Sequence, residues 1–358
     1  MPFSTKEWTA DELLHEARRR EREAASPDRT RGGMSTGGRA RDLSQVPTGE
    51  LVHGARDRQR VIYGTDNRKD IYQITSQAAR RSADAVVALV KSSDLTENAD
   101  GSFSLATETF QSAYGLCGSE PFVSQPLGCF CSGFLIASDV VATAGHCVKS
   151  PNDMKTIRFV FGFRMTNATT AVTTFPAADV FTGKKLIGRA LAQDGTDYAL
   201  VQLDRTVANR TPVTVRRTGK IKDNQALYVI GHPCGLPQKY ADGAKVRDNS
   251  SVPFFVANLD TYGGNSGSPV FNAQNHTVEG ILVRGETDFV SNGQCSVSLV
   301  CPSTGCRGED VTRAPIWIGN VPTSSAAGVG GVKRKAAAKP SRKGVKTARS
   351  RTRNGGKK

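Results

Sequence analysis

The sequence has no run of about 18 apolar residues, so no segment reads as a membrane-spanning helix. Its first 60 residues hold Arg18-Arg19-Arg20 but no apolar core of the length a Sec-type signal needs, so none is expected there. No internal repeat is present, which argues against solenoids and propellers. Helical periodicity is scarce: it is confined to residues 76–90 and a short stretch near the start. Residues 333–358 contain neither an acidic nor an aromatic side chain. Histidine occupies only five positions, which leaves few candidates for proton transfer near neutral pH.

What is present starts with charge. The formal net charge is +15, from 48 Lys/Arg and 33 Asp/Glu, and it is unevenly spread. Twelve of the basic residues fall in 333–358, so the remainder of the chain carries only about +3. Residues 1–60 hold 12 basic and 10 acidic side chains, and 61–332 are nearly neutral. The basic character belongs to the chain ends, and the body has no charge signature of a nucleic-acid binder.

A length of 358 residues allows two ordinary domains or one large all-β unit with extensions. Short apolar segments recur between turn signals: Phe134-Leu135-Ile136, Val140-Val141-Ala142, Phe159-Val160-Phe161, Ala199-Leu200-Val201, Leu227-Tyr228-Val229-Ile230 and Pro269-Val270-Phe271. A further one runs from Thr277 to Val283 after a hairpin turn at Asn272-Ala273-Gln274-Asn275. Many short strands at close spacing predict a sandwich or barrel. Before them, residues 1–60 read as a polar leader, disordered after Ser26-Pro27, in which Thr9 and Glu12 form a capping box for a helix through Leu13, Leu14 and Ala17. After them, residues 324–358 turn Ala/Gly-rich and then Lys/Arg-rich, with nothing to bury, and should be disordered. The expected organisation is a leader (1–60), a catalytic unit (61–323) and a basic tail (324–358). Eight cysteines suggest disulfides and an extracellular or periplasmic setting, against which stands the missing signal peptide.

Three local patterns carry chemistry. Thr143-Ala144-Gly145-His146-Cys147 places a histidine at a strand end, after Cys131-Ser132-Gly133-Phe134. Asp197-Tyr198-Ala199-Leu200 sets an acid immediately before an apolar strand. Gly263-Gly264-Asn265-Ser266-Gly267-Ser268-Pro269 is a serine in a loop whose glycines permit tight geometry. A serine hydroxyl attacks an amide only when a neutral imidazole takes its proton, and a buried carboxylate fixes that imidazole's tautomer. An oxyanion forming in the reaction needs preorganised donors, here the backbone N–H groups of Gly264 and Ser266. His146, Asp197 and Ser266 are therefore the candidate catalytic residues, while His15, His53, His232 and His276 have no such context.

In the chain order His, Asp, Ser these motifs resemble the trypsin/chymotrypsin clan of serine peptidases. Asn265 and Ser268-Pro269-Val270-Phe271-Asn272 are most similar to its bacterial glutamyl-endopeptidase branch. The resemblance implies an all-β fold of two six-stranded antiparallel barrels with the active site between them. It also implies a Cys131–Cys147 disulfide around the histidine. Cys117, Cys129, Cys234, Cys295, Cys301 and Cys306 remain open to 15 connectivities, and their spacing matches no zinc motif. No metal and no cofactor is expected; a monomer acting on protein or peptide substrates is.

Arg56-Asp57-Arg58-Gln59-Arg60 before Val61-Ile62-Tyr63-Gly64 reads as a basic processing site, and cleavage after Arg60 would free Val61. Asn265 stands where trypsin has the Asp that receives such an amine, so that ion pair is not expected. By position, Asp260 aligns with the base of trypsin's primary pocket and would receive a substrate Lys or Arg, unless Arg284 neutralises it. Thr261 matches the pocket threonine of the glutamyl branch, whereas Leu282 falls where that branch carries a histidine. Cleavage after basic residues is the expectation. The alternative is a protein whose peptidase fold is incidental and whose tail, 333–358, binds nucleic acid or another anionic polymer by charge alone.

Overall fold

A computed structural model of the chain describes residues 62–285 and 288–321. The leader with its capping box, Arg60 and Val61, and the basic tail lie outside the described residues, as do His15 and His53.

The periodic stretch 76–90 divides in two. Ser76 caps a helix, α1 (Gln77–Asp84), its Oγ accepting from Ala79 N at 3.2 Å. The chain then straightens into β1 (Val86–Lys91), so the expected helix ends six residues early. Val86 through Val90 are all buried, and β-branched residues covered on both faces favour a strand.

β1 opens a closed barrel with β2 (Cys131–Ala137), β3 (Val140–Thr143), β4 (Ile157–Phe161), β5 (Val180–Leu191) and β6 (Asp197–Leu203). A second ring follows: β7 (Ala226–Gly231), β8 (Lys239–Asp248), β9 (Phe254–Ala257), β10 (Pro269–Asn272), β11 (Val278–Arg284) and β12 (Glu309–Arg313). All neighbours within each ring are antiparallel. Counted from its own first strand, each ring runs 1-4-5-6-3-2, so the two barrels share one winding. The expected pair of six-stranded barrels is the fold. The hairpin expected at Asn272-Ala273-Gln274-Asn275 joins β10 to β11, and His276 lies in it at φ +58°.

One apolar cluster runs from α1 and the first barrel through Phe134 and Leu200 into Phe271, Ile281 and Trp317 of the second half, so the barrels share core as well as site. A separate cluster, including Leu227, Phe255, Val270, Leu282 and Val311, fills the second barrel. Arg68–Asp70 adds a short strand beside β8, and Ile62–Tyr63 pairs in parallel with Val300–Cys301. Cys131 is joined to Cys147, Cys117 to Cys295, and Cys301 to Cys306. Cys129 is a free thiol in this structure. No helix among the described residues is long and apolar enough to cross a membrane.

Candidate active site

His146 sits just past β3, in a turn with no spare space. A Cβ on Gly145 would overlap the carbonyl oxygens of Ala190 and Tyr198, so only glycine lets the chain pass there. The Cys131–Cys147 disulfide ties the turn to β2, and Arg189 Nε donates to Gly145 O at 2.7 Å and Val148 O at 3.0 Å. Asp197, the first residue of β6, is 1% exposed. Its Oδ2 lies 2.7 Å from His146 Nδ1, and its Oδ1 accepts from Gly145 N at 2.6 Å and His146 N at 3.2 Å. One buried carboxylate thus fixes both the ring and the backbone of the histidine. With Nδ1 committed to Asp197, Nε2 is the nitrogen left for proton transfer.

Ser266 comes from the other barrel, on the loop before β10. Ser132 N of β2 donates to Ser266 O at 2.8 Å, and the Cys147 sulfur lies 3.7 Å from the same oxygen. The serine is therefore seated against the disulfide that frames His146. Gly267 follows at φ +90°, with no room for a side chain beside Ser132 O and Thr143 Oγ1.

The peptides of this loop have fixed directions. Gly263 O accepts from Cys234 N, Gly264 O from Ser132 Oγ at 2.9 Å, and Asn265 O from Ser268 N at 2.9 Å. Asn265 N in turn donates to Tyr262 O at 3.1 Å. In a trans peptide the N–H points opposite to the C=O, and no peptide here is cis. The N–H groups of Gly264 and Ser266 are accordingly directed away from Cys234 and Ser268. Gly263 N donates to Asp288 Oδ2 at 2.9 Å.

The residues expected around the primary pocket separate. Thr261 is fully buried, and its Oγ1 has no hydrogen-bond partner among the described residues. Asp260 is committed elsewhere: Oδ1 accepts from Tyr63 N at 2.7 Å and Oδ2 from Asn67 N at 3.0 Å. Burial pushes its carboxyl up to about 6, against the pull of those two N–H groups. Arg284 is not its counter-ion, because Nε pairs with Asp310 at 3.0 Å and Nη2 donates to Gly195 O at 2.8 Å. Leu282 packs inside the second barrel, where alternation along β11 turns it inward.

His232 is a buried structural residue, as its sequence context suggested. It stacks on Phe163 with ring centroids 5.7 Å apart, and its Nδ1 lies 3.0 Å from Leu236 O. Burial holds its pKa down at about 4, with Lys239 adding to the effect. Its N–H donates to Ser132 Oγ at 2.9 Å, which makes Ser132 the link between the 231–235 turn and the serine loop. Ser132, Asp288 and Cys234 escaped the sequence reading, since a serine beside a cysteine and a backbone donor leave no composition signal. Among the described residues, Cys131, His146 and Cys147 cluster at metal-ligand spacing, but both sulfurs are spent in the disulfide.

Residues 131–281 match the family of trypsin-like peptidase domains. The matched segment takes in the residues at 146, 197 and 266 and spans less than half of the 358-residue chain. Similar solved structures include a Glu endopeptidase in complex with MPD, at 16% identity and TM-score 0.43, covering 75% of this chain and 100% of that one. Another is the Vibrio cholerae VesB protease, at 17% identity and TM-score 0.43, covering 73% of this chain and 66% of that one. No curated protein matches the chain in sequence.

Proposed function

We propose that the chain is a serine endopeptidase that works through His146, Asp197 and Ser266. The observation that carries this reading is the buried Asp197 carboxylate holding His146 Nδ1 at 2.7 Å, in a turn braced against the serine loop. Ser266 Oγ attacks the scissile carbonyl carbon while His146 Nε2 takes the hydroxyl proton. The oxyanion is met by the N–H groups of Gly264 and Ser266, whose peptides are turned by bonds to Cys234 and Ser268. Collapse breaks the C–N bond, and His146 delivers the proton to the leaving amine. Water then attacks the acyl-enzyme with the same histidine as base, and Ser266 recovers its proton.

The domain reading joins this one. Residues 61–323 form the peptidase unit, 1–60 a leader removed by cleavage after Arg60, and 324–358 a basic tail. The strand Ile62–Tyr63, built into the fold one residue beyond that cut, supports it. Arg60→Gln should leave a poorly active precursor, and full activity without processing would overturn the leader's role. Preference for a basic side chain loses its carrier in Asp260.

Labelling with a fluorophosphonate probe, with Ser266→Ala alongside, tests the nucleophile. Stoichiometric labelling of wild type cleaved after Arg60 and none of the equally cleaved variant is expected; no labelling of folded, cleaved wild type would discard the enzyme. The alternative, a binding protein acting through 333–358, gains nothing from a histidine and carboxylate so closely fixed.

A further inference from the structure

Asp260 lies six residues before Ser266, and its two oxygens face the N-terminal segment. We infer that Asp260 is a positioning residue through which residues 62–70 hold the serine loop in its working shape. This rests on the proposed peptidase reading.

Two routes connect the segment to the loop. In the first, Tyr63 N and Asn67 N each bind one oxygen of Asp260, at 2.7 and 3.0 Å. One residue away from Asn67, Arg68 lies with its guanidinium carbon 3.9 Å over the Tyr262 ring, and its Nη2 donates to Tyr262 Oη at 3.0 Å. Asp66 fixes that guanidinium through both of its oxygens, at 2.8 and 2.6 Å. Tyr262 O then receives Asn265 N, the residue before the nucleophile. In the second route, Ile62 N donates to Leu299 O at 3.0 Å and Leu299 N to Asp288 O at 2.9 Å, and Asp288 Oδ2 holds Gly263 N. Residues 260 and 262 are thus held directly by residues 62–68, and residue 263 through Leu299 and Asp288. The donors to Asp260 are internal backbone amides, so the coupling uses no terminal amine. The segment is itself pinned behind the brace, where Lys239 Nζ binds Asp70 Oδ1 at 2.5 Å and Gln125 Oε1 at 2.6 Å.

This role separates cleanly from that of a substrate counter-ion. A counter-ion at the pocket base acts on Lys and Arg substrates alone. A brace acts on the oxyanion donors and so on every substrate, in kcat rather than KM. The experiment is steady-state kinetics of Asp260→Asn on matched peptides with Lys, Glu, Gln and Leu before the scissile bond. Active sites are counted by fluorophosphonate labelling. The expected result is a 10- to 100-fold fall in kcat shared by all the peptides that wild type cleaves, with KM changed less than about threefold. A loss confined to Lys peptides would make Asp260 a counter-ion, and unchanged kcat would make it structural filler; either overturns the inference. Should Asp260→Asn not fold, Arg68→Gln loosens Tyr262 without touching either Asp260 oxygen. Its kcat should fall several-fold with KM held, and an unchanged kcat overturns the inference equally. Absence of labelling in wild type would instead defeat the peptidase reading itself.

Discussion

The two barrels share a winding but are held together differently. The first carries His146 and Asp197 on contacts within its own strands and turns: a turn closed by a disulfide across 16 residues, and a carboxylate bonded to the backbone of residues 145 and 146. The second carries Ser266 on a loop supported partly from outside that barrel, by residues 62–68 and by Ser132 of the first barrel, and partly by residues 234 and 288. Its strands also enclose charge. Lys239 meets Asp70, Arg216 meets Glu279, and Arg284 and Arg307 meet Asp310. Acid–base chemistry needs one fixed tautomer, which bonds within one barrel supply. A serine flanked by two backbone donors needs a loop shape, which here is set by bonds inside the loop together with bonds from outside its barrel.

Breaking the first barrel's contribution should give the largest effect. Asp197→Asn leaves the packing in place but withdraws the acceptor that selects the His146 tautomer, and kcat should fall about 10⁴-fold. Turnover measured against fluorophosphonate-counted sites reads this. A fall below tenfold would break the proposed triad.

Next in size is the second barrel's buried charge. Lys239→Met strands Asp70 among buried groups and should lower unfolding stability by about 3–5 kcal/mol in denaturant melts. Adding Asp70→Leu should return much of that loss, because the cost lies in the unmatched carboxylate.

The seam between the barrels gives an acid-sensitive term. His232 titrates near 4 when folded and near 6.5 when unfolded, so the unfolded chain binds more protons between those values. The stability due to its burial is complete above pH 6.5 and is lost as pH falls towards 4, by about 3 kcal/mol. A His232→Gln variant should show a flatter profile over that window. An unchanged slope would assign the acid sensitivity elsewhere.

The smallest effect sharpens the contrast with buried pairs. Lys69 and Asp242 lie 3.6 Å apart with side chains 48% and 40% exposed, and Lys69→Ala should cost under about 0.5 kcal/mol.

The apolar strands were legible because each packs both faces. The segments at Phe134, Val140, Phe159, Ala199, Leu227, Pro269 and Thr277 all lie in or at the start of barrel strands. Val180–Leu191 and Lys239–Asp248 were not legible, since glycines, lysines and bulges interrupt their alternation. The valines of β1 fall at spacings that suit a helix as well as a strand, and only burial on both faces decides between them. The motifs around 146, 197 and 266 stood out because their chemistry is written in neighbouring residues. The partners of Asp260 were not legible because they are backbone amides nearly 200 residues earlier, and amides have no sequence signature. The Cys117–Cys295 bond spans 178 residues and was one choice among many for the same reason.

Ser132 gives the molecule a mechanical property. This one buried residue donates its N–H to Ser266, donates its hydroxyl to Gly264 and accepts from His232, so the first barrel grips the second at three points. Parting the two barrels at this point means breaking all three bonds at once, so the seam ties the placement of Ser266 and Gly264 to a single side chain and its peptide on the opposite barrel.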